Sequence, residues 1–112
     1  MGVKYEPRSN KPLFKFGSSL TPTTAFAVWT PSTSTRIALT DVTISAANAG
    51  TVQIRFGNIG GDIVEEFILA GSVTVGRSNE LPAISPIYDR AVFAEASMNG
   101  YVGVSLKGLE ED

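Results

Sequence analysis

The chain has no cysteine, no histidine and a single tryptophan among its 112 residues. Without cysteine there can be no disulfide and no thiolate ligand, so composition leaves the redox compartment open. The missing histidine excludes more, because it removes the commonest general base near neutral pH and the commonest metal ligand. No apolar run approaches the roughly 20 residues that a membrane-spanning helix needs. The opening Met-Gly-Val-Lys-Tyr-Glu-Pro has no apolar stretch of the kind a secretory signal carries. The net charge of −2 argues against wholesale binding of nucleic acid. No membrane partner and no cofactor are expected.

Charge is scarce but unevenly placed. Residues 1–17 carry Lys4, Arg8, Lys11 and Lys15 against Glu6 alone, a local +3, whereas the remainder carries five basic residues against ten acids, a local −5. Pro7, Pro12 and Pro22 remove backbone donors and break any helix in the leader. Only Leu13-Phe14-Lys15-Phe16 alternates there, as a short strand would. Tyr5, Leu13, Phe14 and Phe16 give the leader more apolar bulk than a solvated tail carries. Residues 1–24 are therefore read as an extended arm, with Lys4, Tyr5, Arg8, Lys11, Leu13, Phe14, Lys15 and Phe16 as candidate partner contacts. Residues 25–112 are read as the folded domain.

What the body has in quantity is two-residue alternation. In RIALTDVTISAANAGTVQIRF, residues 36–56, Ile37, Leu39, Val42, Ile44, Val52, Ile54 and Phe56 fall on one side. Period two with dense β-branching is a strand with one buried face. The parity slips at Thr40-Asp41, which predicts a β-bulge. Asn48 and Gly50 tolerate positive φ, so the link between the two strands is expected to be a hairpin turn. Their outward residues, Arg36, Thr43, Gln53 and Arg55, are expected to share one weakly charged surface.

Further strands are expected at Ala25–Trp29, Ile63–Leu69, Ser72–Val75, Arg90–Ala96 and Tyr101–Lys107, the fifty-seventh to sixty-second residues being a turn cluster and Gly76–Pro86 a loop. The alanines of Arg90–Ala96 leave a short helix possible there, and Asn99-Gly100 is a second hairpin signal. About eight short strands at spacings of roughly ten residues, with no alternating helices, predict an all-β antiparallel β-sandwich of jelly-roll type.

No motif carries chemistry. Asp62, Glu65 and Glu66 are the densest carboxylate cluster, but alternation points Glu65 and Glu66 to opposite faces, so they do not converge. Gly57-Asn58-Ile59-Gly60-Gly61 matches neither phosphate-loop pattern and precedes no helix. No histidine is present to activate a serine or threonine. An enzyme is not expected. Trp29 is expected in the core or packed at an edge.

The runs TRIALTDVTISAANAGTVQIRFG, ILAGSVTV, LPAISPIYDRAVFAEAS and GYVGVSLKGLEED, within residues 33–112, resemble small jelly-roll accessory proteins encoded near the capsid genes of tailed bacteriophages. The resemblance implies a capsid decoration (cement) protein, made in the host cytoplasm and placed on the outside of the virion. It implies a homotrimer at local threefold positions, whose partners are the major capsid protein and neighbouring copies reached by the arms. A rival reading from another class is a carbohydrate-binding or host-adhesion module, which needs exposed aromatics, Trp29 and Tyr88 among the candidates, gathered on one face or loop end. A third is a secreted structural β-domain.

Overall fold

The computed structural model describes residues 12–57 and 62–111. Their regular structure is all strand: β1 (Leu13–Ser19), β2 (Phe26–Trp29), β3 (Arg36–Ala46), β4 (Gly50–Phe56), β5 (Asp62–Leu69), β6 (Val73–Ile84), β7 (Val92–Ala96) and β8 (Val102–Glu111). They form two four-stranded sheets, ordered β1-β8-β3-β6 and β2-β7-β4-β5, with every pairing antiparallel. Only the β4–β5 link stays within one sheet; every other link crosses the sandwich. That winding is a jelly roll, the class the alternation predicts.

Alternation assigns the faces correctly. Ile37, Leu39, Val42, Ile44, Val52 and Ile54 are fully buried between the sheets, with Trp29, Val92, Val102, Val104 and Leu106 around them. The bulge lies at the expected place. The register of β3 shifts between Leu39 and Asp41 against both β6 and β8, which returns its two halves to the same face. β7 is a strand, not a helix, its alanines facing inward at Ala94 and Ala96.

The hairpins, however, are not hairpins. β3 pairs with β6 and β8, and β4 with β5 and β7, so residues 47–49 carry the chain from one sheet to the other. The link at Asn99-Gly100 does the same between β7 and β8. The two links are tied together at one end of the sandwich. Asn48 Nδ2 donates to the Asn99 carbonyl at 2.9 Å, and the Ala47 amide donates to the Tyr101 carbonyl at 3.0 Å. Two strands with matching apolar faces bury them more completely by stacking across a core than by lying side by side. Turn chemistry at Asn and Gly serves both outcomes. As a consequence Arg36 and Thr43 face out from the first sheet and Gln53 and Arg55 from the second, on opposite sides of the molecule rather than on one surface.

Two strands are longer than the alternation suggests. The expected loop Gly76–Pro86 is mostly strand, because β6 runs on to Ile84. Pro82 is accommodated because β6 is an edge strand and residues 79–82 fall in the register shift between Ser78 and Ala83, where no partner on β3 needs the missing donor. β8 continues past Lys107 to Glu111 and turns Glu110 inward, where it is 5 % exposed. The turn cluster expected at residues 57–62 lies largely outside the described residues.

Close approach at two glycines sets the sheet geometry. A Cβ on Gly108 would overlap the Ala38 carbonyl oxygen, so β8 can follow β3 past its bulge only with glycine there. A Cβ on Gly17 would lie 3.3 Å from Val28 Cα, and its absence lets β1 of one sheet settle on β2 of the other.

Candidate functional site: the first edge strand

β1 is built from the alternating part of the leader. It pairs along its whole length with β8, from Leu13 opposite Gly108 to Ser19 opposite Val102, and among the described residues no strand pairs with its other side. No described strand meets its backbone donors and acceptors on that side, the situation of a sheet edge. Leu13 is half-buried and packs on the core. Phe14 and Phe16 point outward from the first sheet and remain 72 % and 61 % exposed, and Leu20, just past the strand, is 70 % exposed. Lys15 is also exposed, on the face that turns toward the sandwich interior. Thus four of the expected contacts, Leu13, Phe14, Lys15 and Phe16, are gathered on one strand. Lys4, Tyr5, Arg8 and Lys11 lie outside the described residues.

The surroundings hold this strand in place. Phe14 sits opposite Lys107, whose Nζ is 5.8 Å from the ring centroid and 3.6 Å from Asp41 Oδ2. A cation over an exposed ring is worth about 0.5–1 kcal/mol. Phe14, Lys107, Asp41 and Ser78 form one outward row across β1, β8, β3 and β6, and Phe16, Ser105, Thr43 and Gly76 form the next. Between them lies a shallow trough of about 380 Å³, walled by Phe14 and floored by small hydroxyl and glycine residues.

Beneath the strand, Glu110 anchors the sheets to each other. Its Oε2 accepts from Trp29 Nε1 at 2.8 Å and its Oε1 accepts from Ser32 Oγ at 2.8 Å. Burial pushes the carboxyl upward, but the hydrogen bonds from Trp29 and Ser32, with the Lys15 charge, outweigh it and hold Glu110 below the usual carboxylate range. Trp29 is 1 % exposed and is a core residue. Tyr88 lies in the β6–β7 connection, under the Arg36 guanidinium at 5.1 Å. Neither joins the Phe14–Phe16 pair, so the aromatics named for a glycan platform are not gathered on one face.

The carboxylates of β5 separate as alternation requires. Glu65 turns inward to Arg77 of β6 at 2.9 Å, closing the β5–β6 side of the sandwich, and that guanidinium also lies 5.2 Å from the Phe67 ring centroid. Glu66 turns outward and accepts from Gln53 Nε2 at 2.7 Å. Next to Gln53, Arg55 pairs with Glu95 at 3.2 Å. These are structural pairings, and among the described residues no group of three or more His, Cys, Asp or Glu is placed to hold a metal ion.

A second apolar surface was not visible in the sequence. Ile63, Ile84 and Ile87 are about half exposed and Ile68 is 83 % exposed, all on or beside the β5–β6 edge, opposite β1. The available signal was the mixed character of β5, which has isoleucine on both faces.

No protein-family model matches the chain, and no curated protein matches it. Solved structures are similar to it to different degrees. A chain in the capsid asymmetric unit of cyanophage Pam1 superposes with a TM-score of 0.59 at 14% identity, over 97% of this chain and 91% of that one. The Bacillus endospore appendages, disulfide-linked pili, give 0.49 at 9% identity over 97% and 98% of the two chains. The Tobacco streak virus coat protein gives 0.44 at 13% identity over 91% and 88%. The likeness to the Pam1 chain is one of fold.

Proposed function

We propose that the chain is a structural component of a virus particle, a decoration protein that binds the outer surface of an icosahedral phage head and stabilises it. The observation that carries this reading is β1, the edge strand among the described residues, with Phe14 and Phe16 exposed on it just after the basic leader in sequence. Exposed aromatics on an unpaired edge are a costly feature for an isolated domain and a useful one for a lattice component. The fold supports the same reading. The Pam1 match covers nearly all of both chains, so its counterpart is also a small single sandwich, and it comes from a capsid.

On this proposal Lys4, Tyr5, Arg8 and Lys11 reach the major capsid protein or a neighbouring copy, and Leu13, Phe14, Lys15 and Phe16 complete the contact. The copies form a homotrimer on the particle exterior after synthesis in the host cytoplasm. Stabilisation comes from many weak contacts multiplied by symmetry, and the leader's prolines reduce the entropy lost on ordering it.

The test is addition of purified protein to heads that lack it. Binding, and a rise in the temperature at which heads disrupt, are expected. Removing residues 1–11 spares every described strand and should weaken addition, and Phe14→Ser with Phe16→Ser should weaken it further. A protein that neither binds heads nor changes their disruption temperature would overturn the proposal.

A further inference from the structure

Three links between strands meet at one end of the sandwich, and Asn99 joins them. Its Oδ1 accepts from Thr23 Oγ1 at 2.8 Å and from the Thr23 amide at 3.4 Å, which ties it to the β1–β2 link. Its backbone carbonyl accepts from Asn48 Nδ2 in the β3–β4 link. The following amide, that of Gly100, donates to the Leu20 carbonyl at 3.0 Å. Gly100 is fixed by the same packing, since its φ is +104° and a Cβ there would overlap Asn48 Nδ2. An acceptor at 99 and a glycine at 100 are thus both required by the way this end is closed.

Asn99-Gly100 is also the chain's one Asn-Gly pair, and glycine leaves its own amide nitrogen unhindered by a side chain. That nitrogen can lose its proton to water or hydroxide and attack Asn99 Cγ. A C–N bond forms there, the C–N bond of the side-chain amide breaks, and ammonia leaves. Water then opens the cyclic imide at either carbonyl. The product is aspartate on the original backbone or isoaspartate with an extra backbone carbon. In the closed end neither group is free to react, because Gly100 N–H is bonded to Leu20 and Thr23 holds the Asn99 amide oxygen. Asn99 is exposed, so water reaches it as soon as these ties release.

We infer that Asn99 is a site of spontaneous deamidation, governed by the opening of this end of the sandwich. While the end is closed, its hydrogen bonds suppress the reaction. When it opens, the pair converts, and isoaspartate displaces the carbonyl that Asn48 binds, so the three links no longer close as before. The modification is a covalent record of opening at one end of the fold. It concerns the chain's own chemistry and holds with or without binding to heads.

Mass spectrometry of the purified chain and its peptides, after incubation at mildly alkaline pH, tests this. Unfolded in urea, the wild type should convert at Asn99 before any other asparagine. Folded, it should convert at least about tenfold more slowly, because reaction through an opened state follows the population of that state. Thr23→Ala and Asn48→Ala, both at exposed positions, each remove one tie from the folded end alone. Each should speed conversion of the folded chain by about two- to tenfold, the equivalent of one net hydrogen bond, and leave the rate in urea unchanged. Circular dichroism establishes that both variants are folded. Hydrogen exchange at the Gly100 amide, compared with that of Val104 in the core strand β8, separates opening of the end from global unfolding. Equal rates for the wild type folded and in urea would overturn the inference, as would folded variants that convert no faster than the wild type.

Discussion

Trp29 Nε1 donates a 2.8 Å hydrogen bond to Glu110 Oε2, joining the last residue of β2 in one sheet to the inward end of β8 in the other. Both partners are buried, Trp29 at 1 % and Glu110 at 5 % exposure, and Ser32 caps the second carboxylate oxygen. Replacing Glu110 by alanine leaves the indole N–H without its acceptor, and a buried unsatisfied donor costs about 1–3 kcal/mol. Urea denaturation followed by Trp29 fluorescence should report a loss of that size, with Glu110→Gln retaining part of the stability because its amide oxygen still accepts.

The same carboxylate predicts an acid response. Glu110 is held below the usual carboxylate range in the folded chain, so the unfolded chain binds more protons between the two pKa values and stability rises with pH there. The contribution is complete above the unfolded value and is lost as pH falls through the lowered folded value. Denaturation midpoints measured across the acidic range should fall less steeply in Glu110→Gln than in the wild type. Parallel curves would refute the assignment.

Arg77→Ala removes the partner of Glu65, whose side chain is 8 % exposed while Arg77 itself is 53 % exposed. The loss lies between that of a surface pair and that of a buried charged hydrogen bond, about 1–2 kcal/mol. Arg77→Lys should recover some of it, and the gap between the two variants, read from denaturant midpoints, measures the guanidinium's contribution.

Gly108→Ala tests the approach of β8 to β3. The added methyl meets the Ala38 carbonyl oxygen, a backbone atom that moves only with its strand. Overpacking of this kind costs about 1–3 kcal/mol. A thermal midpoint unchanged from the wild type would show that the strands separate without penalty.

Phe14→Ala and Phe16→Ala should separate interface from core. Both rings are largely exposed, so stability should fall by no more than about 1 kcal/mol, with the cation–π contact of Phe14 included. Head binding, on the proposal above, should fall sharply. A large loss of stability with unchanged binding would make β1 a purely structural strand.

The alternation of apolar residues by itself determined the fold class, the inward faces of β3, β4 and β8, the bulge at Thr40-Asp41 and the divergence of Glu65 from Glu66. Each of these is a local consequence of period two in the chain. The clustering of Phe14 and Phe16 on one outward face was legible for the same reason. Which sheet each strand joins was not. Asn48-Gly50 and Asn99-Gly100 suit a hairpin and a sandwich crossing equally, and the choice is made by residues far apart in sequence that bury their faces against each other. The burial of Glu110 was not legible because its partners, Trp29 and Ser32, lie on another strand and its connecting loop. The second apolar edge at Ile63, Ile68 and Ile84 emerged only once β5 and β6 were placed together at the border of their sheets, since exposure there depends on which strands have no further neighbour.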